Sequence, residues 1–146
     1  MSVLLDTEVV LETRRRAPDA NVMAWLERAD PAGLHLSVLT IGELTKGIAQ
    51  HHTRDPQTAA GLARWLHGLE TLFADRLLPI DAAVATAWGE LTATRPLPTP
   101  LALQAATAKV HGLTLATRNG ADLQDTGIDW VNPWAGVSAG PRVTRL

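Results

Sequence analysis

Three carboxylates in this sequence stand where short apolar runs end. Val3-Leu4-Leu5 stops on Asp6, Leu34-His35-Leu36-Ser37-Val38 is followed closely by Glu43, and Leu113-Thr114-Leu115-Ala116 leads through Thr117-Arg118-Asn119 to Asp122. A short apolar run bounded by polar residues reads as a buried strand of a parallel sheet. In open α/β sheets, ligands bind at the rim formed by the carboxyl ends of the strands. Carboxylates gathered there from separate segments make an oxygen-only site suited to a hard divalent cation, Mg²⁺ or Mn²⁺. Such an ion polarises a phosphodiester and lowers the pKa of an attacking water. Each acid also has a simpler account. Asp6 is a good N-cap for a helix through Val9, Val10 and Leu11, Thr40 and Glu43 have capping-box spacing, and Asp122 suits the cap of a short turn. Weighed singly, capping explains each acid; their recurrence at strand exits is what favours a shared site.

Other patterns compete less well. Gly136-Val137-Ser138-Ala139-Gly140 matches the G-x-S-x-G nucleophile elbow, but that motif needs a strand before it and a helix after it, and Pro141 follows with no downstream histidine. Asp6 with Glu8 loosely fits a phosphoaspartyl nucleophile and proton donor, yet no suitable lysine and later acidic pair accompany them. His51 and His52 are adjacent rather than one helical turn apart, which suits a solvated pair better than joint metal binding. Arg14-Arg15-Arg16 follows the helix that begins at Asp6, so it reads as a solvated face with a phosphate-binding alternative. Trp25, Trp65, Trp88, Trp130 and Trp134 fall largely on apolar stripes and point to packing rather than base stacking.

The elements that would carry the acids alternate between strand-like and helix-like segments. After Asp6 a first helix is predicted to reach the arginine run, and Asp19 caps a second. A helix opening at Thr40 follows the second strand and runs to His51-His52; a long helix follows Asp55-Pro56. Leu77 to Ile80 is a short strand, and Asp81 caps the next helix. Arg95-Pro96-Leu97-Pro98-Thr99-Pro100 is a connector, because proline lacks a backbone donor and pushes its predecessor toward extended geometry. Leu101 to Val110 is an alanine-rich helix closed by Gly112, and Ile128 to Val131 is the last strand. This order predicts a three-layer α/β domain with a central, largely parallel sheet flanked by helices.

At 146 residues and 46% hydrophobic composition, the chain has enough apolar content for one core. Absence of cysteine excludes disulfides and thiolate zinc sites and, with no signal-like opening or membrane-length apolar run, leads us to expect a cytoplasmic protein that does not span a membrane. A net charge of −2 argues against coating nucleic acid by bulk charge, while permitting acids in a cleft with arginines around it. Residues 1–134 are expected to form the domain, with a flexible tail over 135–146.

Several stretches, in their order, resemble the PIN-domain family, in particular the VapC-type toxins of bacterial toxin–antitoxin pairs. They are Leu4-Leu5-Asp6-Thr7, Ser37 to Leu44 with Glu43, Ala105-Ala106-Thr107-Ala108 before His111-Gly112-Leu113, Thr117-Arg118-Asn119 with Asp122, and Asn132-Pro133-Trp134. The resemblance implies a PIN fold and an Mg²⁺- or Mn²⁺-dependent endoribonuclease that cuts structured RNA such as tRNA or rRNA. It also implies a homodimer and a small cognate antitoxin that blocks the site. Carried over by position, Asp6, Glu43 and Asp122 match acidic catalytic and metal-site residues. Thr7, Thr117, Arg118 and Asn119 match the polar residues that would meet substrate. Two positions depart from the family pattern. Glu8 follows Thr7 where asparagine is usual, and Leu101 stands where a further acid normally opens the alanine-rich helix. The incomplete acidic set leaves an alternative, a PIN-like binding module that keeps antitoxin or RNA binding without cleavage.

Overall fold

A computed structural model describes residues 1–136. Its sheet has five parallel strands, β1 (Val3–Leu5), β2 (Leu34–Ser37), β3 (Leu77–Leu78), β4 (Thr114–Ala116) and β5 (Trp130–Val131), in the spatial order β3-β2-β1-β4-β5. The helices are α1 (Thr7–Glu12), α2 (Ala20–Arg28), α3 (Val38–His52), α4 (Pro56–Leu72), α5 (Ala82–Thr94) and α6 (Thr99–His111). The expected three-layer parallel fold is the one observed.

Strand periodicity sorts the core. Val3, Leu5, Ala116 and Val131 pack with Val9, Val22, Leu44, Leu66 and Phe73 on one face, which α1 to α4 cover. Leu4, Leu115 and Trp130 point the other way, onto Leu101, Ala105 and Ala108 of α6. Complete burial of a leucine such as Leu4 contributes about 1.5–3 kcal/mol, and a slip of one residue in β1 would exchange its two sets of side chains between the differently packed faces. The small residues Ala105 and Ala106 let α6 lie close beneath the sheet and against α5.

The expected caps at Asp19 and Asp81 form, and Asp55 caps the helix expected after it. Asp19, Asp55 and Asp81 each accept from backbone N–H groups at the starts of α2, α4 and α5. Gly112 closes α6 at φ 65°, the left-handed geometry glycine adopts without cost. Three boundaries differ from expectation. Helix α1 ends at Glu12, short of the arginines, as the Glu12 carboxylate turns the chain by accepting from Asp19 N–H at 2.8 Å. Helix α6 starts at Thr99, because Pro100 falls in the first turn, where a missing donor costs nothing. Helix α3 starts at Val38 with Ser37 as its cap. The G-x-S-x-G stretch beyond Gly136 and most of the expected tail lie outside the described residues.

The topology reverses beside β1. The chain steps from β1 through β2 to β3 in one direction, then crosses back to lay β4 and β5 on the other side of β1. Ligand crevices form at the carboxyl edge of such a switch point, and β1, β2 and β4 are the strands whose exits carry the acids.

Candidate active site

Asp6 leaves the central strand β1 and both caps and faces the crevice. Its Oδ1 accepts from Thr7 N–H at 2.8 Å at the start of α1, and its Oδ2 accepts from the Thr117 hydroxyl at 2.7 Å, across from the end of β4. Thr117 is itself held by Asn119 N–H, which donates to its Oγ1 at 3.1 Å. The capping and site accounts of Asp6 are therefore compatible.

The capping box at Thr40 and Glu43 is not formed. Since Ser37 already caps α3, with Leu39 N–H donating to its Oγ at 3.0 Å, Thr40 lies within the helix and Glu43 one turn further along. This frees the Glu43 carboxylate, whose Oε1 accepts from the Thr7 hydroxyl at 2.7 Å. Asp122 is exposed within a single 3₁₀ turn, Gly120–Leu123, whose N-cap is Asn119. The Arg95 guanidinium ties this turn down by donating to the backbone carbonyls of Asp122 and Gln124.

Asp6, Glu43 and Asp122 line one cleft of about 500 Å³, together with Thr7, Glu8, Asn119 and Leu101. Of the expected substrate-contacting residues, Thr7 and Asn119 reach the cleft wall. Thr117 is fully buried beneath Asp6, and Arg118 stacks on Trp134 with its guanidinium carbon 4.3 Å from the ring centroid. The sequence reading missed Thr40, Gln104 and Arg95, which support the cleft from below or behind. The only sign of Gln104 was a large polar side chain inside an otherwise apolar and small-residue helix stretch.

Among the described residues, no ion pair compensates the negative charge in the cleft. The described ion pairs join Arg15 to Glu12 and Arg76 to Asp75, so no basic side chain among the described residues neutralises Asp6, Glu43 or Asp122. Burial pushes the Asp6 carboxyl above its ordinary pKa of 3.8; the Thr117 and Thr7 hydrogen bonds oppose this, and the charges of Glu8 and Glu43 add to it. A cation would relieve the strain. The donors are all oxygen, as Mg²⁺ and Mn²⁺ prefer. Among the described residues no three acidic or imidazole side chains close around a single ion. The arrangement thus suits a hydrated cation, held through one or two carboxylates and otherwise by water, which is the usual habit of Mg²⁺.

Comparison with known proteins identifies the family. A family model for the PIN domain matches residues 3–128. The chain is 34% identical over 137 residues to the plasmid stability protein StbB of Pseudomonas syringae pv. tomato, covering 90% of this chain and 98% of that one. It is 32% identical to the toxin FitB of Neisseria gonorrhoeae, over 90% of this chain and 98% of FitB. The crystal structure of FitAcB from that organism superposes with a TM-score of 0.83 and 33% identity, covering 90% of this chain and 98% of that chain. The VapC ribonuclease Y4jK of Sinorhizobium fredii is 32% identical, over 90% of this chain and 97% of its own length. Fold, strand-exit acids and similarity along nearly the whole chain converge: this chain belongs to the PIN-domain family, and its relatives include FitB and VapC toxins.

Proposed function

We propose that this protein is a toxin-like, metal-dependent endoribonuclease of the cytoplasm that cuts structured RNA such as tRNA or rRNA and is held in check by a small cognate antitoxin. The observation that carries this reading is the convergence of Asp6, Glu43 and Asp122, without basic partners among the described residues, on one cleft at the switch point of a parallel sheet. The ribonuclease named among its relatives supports the substrate class. Asp6 and Glu43 would hold Mg²⁺ or Mn²⁺, with Asp122 reaching it through water. Bound there, the ion supplies Lewis acidity toward a phosphodiester and a nucleophilic water at neutral pH. The protein's own contribution is positional. Thr117 and Thr7 N–H fix both oxygens of Asp6, the Thr7 hydroxyl orients Glu43, and Asn119, which lines the cleft, would donate to a phosphate or ribose oxygen.

An antitoxin arginine inserted among the acids would block the site by taking the cation's place. We also propose an isologous homodimer, to be tested by sedimentation at micromolar concentration.

The deciding experiment incubates purified protein with total RNA and Mn²⁺ or Mg²⁺, with and without chelator, beside Asp6→Asn. Cleavage that needs the metal and disappears in Asp6→Asn supports the reading. A second reading, a binding module without cleavage, is favoured by Leu101, which lines the cleft where the resemblance expects an acid. RNA or antitoxin binding without cleavage under any divalent metal would establish it instead.

A further inference from the structure

Beneath the cleft, a run of hydroxyls ends on a buried amide. The Thr7 hydroxyl donates to Glu43 Oε1 at 2.7 Å and lies 2.9 Å from Thr40 Oγ1, which in turn accepts from Gln104 Nε2 at 3.1 Å. Gln104 and Thr40 have no exposed surface, and Thr7 is buried as well. Each threonine has a single proton to donate. Thr7 gives its proton to the carboxylate, so the proton between the two hydroxyls belongs to Thr40. The Gln104 amide meets Thr40 from the other side. All three groups therefore donate in one direction, from α6 through α3 and α1 to Glu43.

Thr40 differs from four threonines that lie deeper in their helices. Thr45, Thr71, Thr92 and Thr107 each return their proton to the carbonyl four residues back in their own helix, a common resting bond for this side chain. Thr40 sits in the first turn of α3, where the residue four back, Leu36, belongs to β2, so it has no such carbonyl in its own helix; it hands its proton across to α1 while the amide from α6 fills its acceptor side. That amide comes with an unmet demand, because Gln104 Oε1 is buried without a partner. Burying an unpaired polar atom is unfavourable, so an apolar side chain of similar size would serve packing better.

We propose that Gln104 is a positioning residue for Glu43. Its amide keeps the Thr40 hydroxyl turned toward Thr7, and Thr7 then pins one oxygen of the Glu43 carboxylate while the other remains available to a cation in the cleft. The proposal rests on the metal-dependent reading above, and it extends the outer support of the site to a third helix.

The test compares the parent with Gln104→Leu, Thr7→Val and the double variant, with Gln104→Met as a second apolar replacement should leucine fail to fold. Thermal unfolding is followed without metal, and Mn²⁺ affinity is measured by calorimetry. Gln104→Leu should melt no lower than the parent yet bind Mn²⁺ about 3–10-fold more weakly, less than the 10–100-fold typical of groups bonded directly to a metal ligand. In the Thr7→Val background the same substitution should change affinity no further, since it acts through Thr7. Nuclear magnetic resonance of the metal-free protein should show slowly exchanging Thr7 and Thr40 hydroxyl protons in mutual contact, and that contact should vanish in Gln104→Leu. Unchanged affinity in Gln104→Leu, or additive effects in the double variant, overturns the proposal while leaving the metal-dependent function standing. If the parent binds no Mn²⁺, that function fails, and the hydroxyl contact decides the proposal: its persistence in Gln104→Leu overturns it.

Discussion

Gly120 makes the position of Asp122 testable through packing alone. It opens the 3₁₀ turn that carries Asp122 and lies against the indole of Trp130, which is itself only 8% exposed. A Cβ at position 120 would stand 2.0 Å from Trp130 Cε3 and 2.2 Å from Cδ2. Carbon atoms prefer about 3.5–4.0 Å, so Gly120→Ala demands a separation of roughly 1.5 Å. Trp130 is fixed in β5 and packed against the α6 side of the sheet. The turn is the element that yields, and Asp122 moves with it. Overpacking of this kind costs about 1–3 kcal/mol, which lowers the melting temperature by roughly 3–10 °C in a chain of this length. A displacement near 1 Å in catalytic machinery can cost about 100-fold in rate, so Mn²⁺-dependent RNA cleavage should fall by about that factor even at temperatures where the variant is folded. Trp130→Leu makes room for the methyl group. The double variant should be more stable than the sum of the single effects allows, by about 1–3 kcal/mol. Thermal melts and single-turnover cleavage on the four proteins give the answer. Additivity within about 0.5 kcal/mol, or a Gly120→Ala protein with unchanged melting and cleavage, would refute the claim that this contact seats Asp122.

Three further outcomes are expected. The raised Asp6 pKa means that the metal-free fold holds this proton longer than the unfolded chain does, so stability falls as pH rises through the window from 3.8 to the higher folded value; Asp6→Asn should flatten that part of a melting-temperature profile taken in chelator. Mn²⁺ at 100 times its dissociation constant should stabilise the parent by about 2.7 kcal/mol, seen as a rise in melting temperature that chelator reverses. Leu101→Asp adds an oxygen ligand at the cleft wall and should tighten Mn²⁺ binding by about 1–3 kcal/mol, by analogy with charge-assisted hydrogen bonds; in calorimetry, Glu8→Gln should weaken the parent more than it weakens Leu101→Asp.

The apolar run of β1 and the carboxylate caps at Asp19 and Asp81 were legible because each is decided within a few neighbours. A short apolar run that stops on a polar residue marks a buried strand, and a cap needs only a side-chain oxygen one turn from free N–H groups. The Thr40–Glu43 box was equally legible and wrong. Where α3 begins depends on where β2 stops pairing, and that pairing runs to Ser37 opposite Leu78. No local pattern contains this information.

The sequence by itself determined the parallel α/β class, the three acids at strand exits and the likeness to PIN domains, since these are written in short runs and their order. Only the tertiary structure decided which polar groups meet. The Thr117–Asp6 bond closes 111 positions and the Gln104–Thr40 bond 64, and both exist because β4 returns to lie beside β1 and α6 is laid beneath them. It likewise sent Arg118 to Trp134 rather than into the cleft, and it made the glycine at 120 a packing necessity. The physical reason is the same in each case: strand order and helix docking are set by burial of whole faces of the sheet, a sum over the chain that no single segment carries.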